Sequence, residues 1–214
     1  MIGIYPTVDY ACKAVLGSPE HPAVTLHFLN AILRGRPVIT KVQILNPIIE
    51  NAVEGDKVSL LDILARATLG RRFNIEVQRA LVAGLAERLA YYTATQLVEQ
   101  LAEGDGYLDL RPAINICILD FRLINQANAL TLTDCLQIHL LELPKYRPPA
   151  DNQPITDPIE QWAFFFRHAS ELTPAELTTR LPNPVFHEAT GILEMIARDP
   201  NQRRLYEQRR KIQM

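Results

Sequence analysis

Residues 57–78, KVSLLDILARATLGRRFNIEVQ, constrain this chain more than any other stretch. Gly55 and Asp56 precede it and Gly70 divides it, so it reads as two strands joined by a turn. Side chains alternate along a strand. Leu60, Asp62 and Leu64 therefore share one face of the first strand, and Asn74, Glu76 and Gln78 share one face of the second. Phe73, Ile75 and Val77 take the opposite face. Asp62 and Glu76 are carboxylates set inside apolar strands, where an unpartnered charge costs roughly several kcal/mol. Pairing the strands as a hairpin brings both acids to one side. Two carboxylates converging there suit a hard divalent cation such as magnesium.

The rest of the chain supplies what such a hairpin packs against. Val8, Ala11, Cys12 and Val15 space as one side of a short helix ended by Gly17, Ser18 and Pro19. AVTLHFLNAILRG predicts a second helix with Gly35 as its stop, and VITKVQILN (38–46) a strand. NPIIENAVEGD is a loop. Residues 80–103 predict a long helix whose Leu81, Leu85, Leu89, Tyr92, Leu97 and Leu101 form one apolar stripe. RPAINICILDF (111–121) is nearly continuous in apolar residues, as expected of a strand covered on both faces. LTDCLQIHLLELPKY (132–146) predicts a further strand. The order helix, helix, three strands, helix, two strands implies an α/β fold with a mixed central sheet flanked by helices.

Prolines 144, 148, 149, 154 and 158 then mark 145–157 as a linker. IEQWAFFFRHASEL and NPVFHEATGILEMIARD follow as helices, anchored by Trp162, Phe165 and Phe166, and NQRRLYEQRRKIQM reads as a charged terminal helix. The expected division is a sheet domain over 1–147 and a proline-rich linker with a helical extension over 148–214.

Composition narrows the function classes. At 48% hydrophobic and 21% charged, the 214 residues are ordinary for a globular chain with a real core. No apolar run reaches the length of a membrane span and no signal-peptide pattern opens the chain, so a cytoplasmic protein is the expectation. Cys12, Cys117 and Cys135 lack metal-ligand spacing and read as reduced, packed thiols, and the histidines show no i,i+4 pairing. A net charge of −2 is not the footprint of a protein that coats nucleic acid. Contact with DNA would rest on local clusters such as Arg71 and Arg72, or Arg203, Arg204, Arg209, Arg210 and Lys211.

PTVDYACKAVLGSPEH, FLNAIL, VQILNP, LLDILARATLGRRFNIEVQ, ERLAYYTATQL, INICILDF and LQIHLLELPKY occur in that order over about residues 5–147. As a set they resemble the PD-(D/E)XK nuclease family of transposases, also called recombination-promoting nucleases. The resemblance implies a restriction-endonuclease-like core, a DNA substrate, and magnesium-dependent phosphodiester hydrolysis, with manganese able to substitute. It places Asp62, Glu76 and Gln78 on the catalytic positions, with Asp62 and Glu76 as metal ligands, and Asp9 and Lys13 on an accessory D-x-x-x-K element. A homodimer would supply the two sites that cutting both strands needs.

The chain departs from the family at instructive points. Leu64 stands where a lysine is common, Cys12 where a phenylalanine is, and Gln78 where the wider superfamily has lysine. Glutamine can hold a water but brings no charge to a transition state, so catalysis would lean on the metal and on Arg71 or Arg72. An alternative is a degenerate relative that binds DNA or a protein partner without cutting. Plain structural roles compete residue by residue. An Asp opening a helix is by default an N-cap, Lys13 reads as a surface lysine, Tyr91 and Tyr92 read as helix–sheet packing, and the terminal basic run reads as a solvated helix face.

Overall fold

A computed structural model describes residues 1–34, 38–45, 63–102, 106–123, 136–149 and 153–212. Its elements run α1 (Asp9–Leu16), α2 (Pro22–Ile32), β1 (Val42–Ile44), β2 (Ile63–Ala67), β3 (Arg72–Gln78), α3 (Leu85–Val98), β4 (Ala113–Leu119) and β5 (Leu136–Glu142). Then come α4 (Pro158–His168), α5 (Pro174–Arg180), α6 (Pro184–Arg198) and α7 (Pro200–Ile212). The order of helices and strands up to β5 is the one the sequence implies; the short α5 was not anticipated there. The loop predicted over NPIIENAVEGD, Leu60, Asp62, Gly35 and Cys135 lie outside the described residues.

Among the described residues the strands form one sheet in the order β1-β2-β3-β4-β5. The first two neighbours of the sequence, β1–β2 and β2–β3, are antiparallel, and β3–β4 and β4–β5 are parallel. The mixed sheet is therefore as expected. A single turn of 3-10 helix, Thr68–Gly70, closes the β2–β3 hairpin. Gly70 carries φ 76°, and a Cβ there would meet the Arg111 side chain at 3.1 Å, so glycine fits the turn on both counts.

The two faces of the sheet bury different things. Ile63, Ala65, Phe73, Ile75, Val77, Ile114, Ile116 and Ile118 join one large core with α1, α2 and the C-terminal helices. The opposite face gives a smaller cluster in which Cys117 and Leu119 meet Leu85 and Leu89 of α3. Every residue of β4 is buried, which agrees with the unbroken apolar run. In the large core, Trp162 packs edge-on against Phe28 at 5.3 Å between centroids and at a tilt against Phe186 at 4.8 Å. Its indole N–H donates to Nδ1 of His27 across 3.0 Å. Trp162, Phe165 and Phe166 are thus the anchors their aromatic character suggested.

Two expectations need correction. The helix predicted over 80–103 is shorter, and its buried positions are Leu85, Leu89 and Thr93. Leu81 precedes the helix and is exposed, and Tyr91 and Tyr92 are 67% and 40% exposed rather than packed on the sheet. The physical reason is the helix's position: α3 lies over β4 and β5, so only a narrow row of residues spaced by four turns inward. The basic terminal helix is not simply solvated either. The Arg210 guanidinium lies over the Tyr5 ring at 4.8 Å, Arg203 pairs with Glu207 at 2.8 Å, and Tyr206 is fully buried. No helix among the described residues is long and apolar enough to cross a membrane.

Candidate active site

Glu76 stands fifth in β3, and alternation turns it to the α3 side of the sheet with Asn74 and Gln78. It is 3% exposed, and both its oxygens are held by nitrogen donors. Gln78 Nε2 and Arg88 Nη2 donate to Oε2, each at 3.3 Å, and Asn115 Nδ2 donates to Oε1 at 3.3 Å. A buried carboxylate left without donors would cost roughly several kcal/mol, so this ring of donors lets β3 carry a charge inside the fold. The residues come from three elements. Gln78 is the next residue on the same strand face, Asn115 reaches over from β4, and Arg88 comes from the second turn of α3.

Asp62, the expected first carboxylate, lies outside the described residues. The described hairpin pairs Leu64 with Asn74, so the antiparallel register sets Leu64 on the face that carries Glu76. Leu64 adds no charge there. Arg72 begins β3, four residues before Glu76 and about 13 Å away along the strand, and the buried Arg71 precedes it at the turn. Among the described cations it is Arg88 that meets Glu76.

Asp9 and Lys13 lie on α1, whose apolar side joins the large core against the other face of the sheet. Both are buried, at 4% and 3% exposure, so Lys13 is not the surface lysine its position suggested. Asp9 is not the N-cap either: Val8 occupies that place and no side chain caps the helix. Burial pushes the Asp9 carboxyl up from its ordinary range, and the Tyr10 backbone N–H, Arg209 and Lys13 partly oppose that shift. Arg209 belongs to α7, so the C-terminal helix brings a cation toward Asp9.

Sequence reasoning missed Arg88, Asn74 and Asn115. Asn115 was hidden in a run read as apolar, although a polar residue at the centre of INICI was a visible anomaly. Asp120, just past β4, was also passed over. Its backbone N–H donates to the Gln78 carbonyl at 2.9 Å, and its carboxylate sits 3.6 Å from Arg79.

The donor atoms suit a hard cation. Glu76 offers carboxylate oxygens, and Oδ1 of both Asn74 and Asn115 is buried with no hydrogen-bond partner among the described residues. Carboxylate and amide oxygens are the donors magnesium and manganese prefer, although the Cys117 thiol, opposite Glu76 on β4, lies on the same face. Among the described residues no three His, Cys, Asp or Glu side chains cluster as a complete ligand set.

A mixed sheet that carries a buried acid on the third strand, with helices on both sides, is the architecture of a PD-(D/E)XK nuclease core. The chain belongs to that family: residues 6–214 match the model of the PD-(D/E)XK nuclease family transposases. The match extends past the sheet through the C-terminal helices. Curated proteins and solved structures give no match.

Proposed function

We propose that this protein is a metal-dependent DNA endonuclease of the transposase or recombination-promoting type. Asp62 and Glu76 hold the cation, and Gln78 orients the attacking water. The observation that carries the reading is Glu76, a buried carboxylate on β3 with Gln78 beside it, in a chain of a nuclease family. Asp62 stands two residues before Leu64, and Leu64 pairs with the residue two before Glu76. A bound magnesium ion would supply Lewis acidity to the phosphate and acidify water for in-line attack.

The remaining chemistry falls to the chain. Gln78 can accept a hydrogen from the water through Oε1 while its Nε2 stays on Glu76. Arg88 brings the positive charge that Gln78 lacks, from a side chain 36% exposed and so within reach of a phosphate. DNA is the substrate class this reading requires. The cations of the chain must act locally, because the net charge is −2.

A second reading, a relative that binds DNA or a partner without cutting, draws on one observation. Arg88 already neutralises Glu76, and neither Leu64 nor Gln78 supplies a lysine. Incubating supercoiled plasmid with the purified protein, with magnesium, manganese or chelator, separates the two. Nicking that requires metal and disappears in Glu76→Ala supports the nuclease. A folded protein that cuts under no metal would leave the non-cutting reading.

A further inference from the structure

Asn115 sits at the centre of β4 with no exposed surface, flanked by Ile114 and Ile116. Its register partner on the parallel neighbour is Asn74, 1% exposed. Two primary amides facing each other inside a sheet whose neighbouring positions are Ile, Cys and Leu are poor choices for packing alone.

The orientation of Asn115 follows from chemistry. The Glu76 carboxylate can only accept, so Asn115 must turn its Nδ2 toward Oε1, and it does so at 3.3 Å. That directs Oδ1 away from Glu76. Oδ1 of Asn115 and Oδ1 of Asn74 are both buried and have no partner among the described residues. An apolar pair of the same shape would remove this defect.

Resting on the functional reading above, we propose that Asn115 and Asn74 are positioning residues for the cation at Glu76. Asn115 fixes the Glu76 carboxylate through Nδ2, and the two Oδ1 atoms accept hydrogens from water that accompanies the ion. Magnesium gives up its water reluctantly and is bound through a few carboxylates with several waters retained, so acceptors behind the carboxylate act on its shell. The two oxygens are then seats for that water, which accounts for amides standing where leucine would pack.

The test is manganese binding by calorimetry on wild type, Asn115→Leu and Asn74→Leu, with thermal unfolding of each in chelator. The expected result separates stability from affinity. Melting temperature in chelator holds or rises in Asn74→Leu, because an orphaned buried oxygen is gone. It drops modestly in Asn115→Leu, which also takes a donor from Glu76. Manganese affinity falls about tenfold or more in both. Unchanged affinity in both variants overturns the inference. So does a lower melting temperature with loss of the native circular dichroism, which would make the amides structural. A wild type that takes up no manganese overturns the functional reading and this inference with it. A wild type that binds it as well as both variants do overturns the inference alone.

Discussion

Arg88 is the residue whose role differs most from its place in the sequence. It lies on a helix that begins after β3 ends, yet its guanidinium reaches back to the acid two positions inside that strand. If it carries the charge that a lysine would otherwise supply, Arg88→Ala lowers the single-turnover cleavage rate on the order of 10²-fold, while circular dichroism stays native. Gln78→Lys in that background should recover part of the rate, since it returns a cation to the face that holds Glu76. Quenched-flow or gel assays on a labelled duplex measure both. A rate unchanged in Arg88→Ala would remove Arg88 from the chemistry. What was legible at this scale is what alternation alone decides. Glu76 and Gln78 share a face whatever the rest of the fold does. Asn115 is 39 residues from Glu76, and their contact depends on the register of two parallel strands, which no local pattern encodes.

Among the elements, α2 and α4 meet at a pair that should respond to pH. His27 takes the Trp162 indole N–H on Nδ1, so it must be neutral at that nitrogen. Burial lowers its pKa from the ordinary 6.5. The unfolded chain therefore binds a proton that the folded chain resists, and stability falls as pH drops below 6.5 toward the lowered folded value. His168 on α4 is lowered as well, by burial first and then by Arg167 and Arg180, and its effect has the same sign. Urea midpoints taken at pH 7.5 and 5.5 should differ, and His27→Gln, which keeps an acceptor for Trp162, should narrow the gap. An unaltered gap would exclude His27 as a source. Helix α5 offers a second measurement at this scale. Thr173 and Glu176 form a reciprocal capping box, so Thr173→Ala should cost about 1 kcal/mol in urea unfolding. Element types were readable because periods differ: β4 is a short unbroken apolar run, and α6 is a long amphipathic one. The inner row of α3 was misread because its width is set by which strands it covers, a fact of tertiary placement.

At the scale of the whole molecule, one core spans the proposed division at residue 147. Phe28 of α2, Ile75 of β3 and Trp162 of α4 belong to the same buried cluster. A chain cut after residue 147 should lose cooperative thermal unfolding, because α1 and α2 would face water where α4, α6 and α7 now pack. Trp162→Ala probes the same dependence within the full chain, with an expected loss of about 3–5 kcal/mol from chemical denaturation. A truncated chain that melts as sharply as the parent would establish the first 147 residues as an independent unit. The sequence marked this boundary by its prolines, which report a change of local conformation and carry no information on whether two segments share an interior.

The hydrogen bond from the Tyr5 backbone to the Tyr206 hydroxyl, 3.0 Å long, joins residues 201 apart. Gly3 and Ile2 are likewise tied to the carbonyls of Ser170 and Leu172. A ribosome adding about 5–20 residues per second needs on the order of ten to forty seconds to cover that interval. For that time the first two helices have emerged without the surfaces they close upon. A nascent chain of this design is thus long exposed to chaperones, and its large core closes only once translation has passed α7.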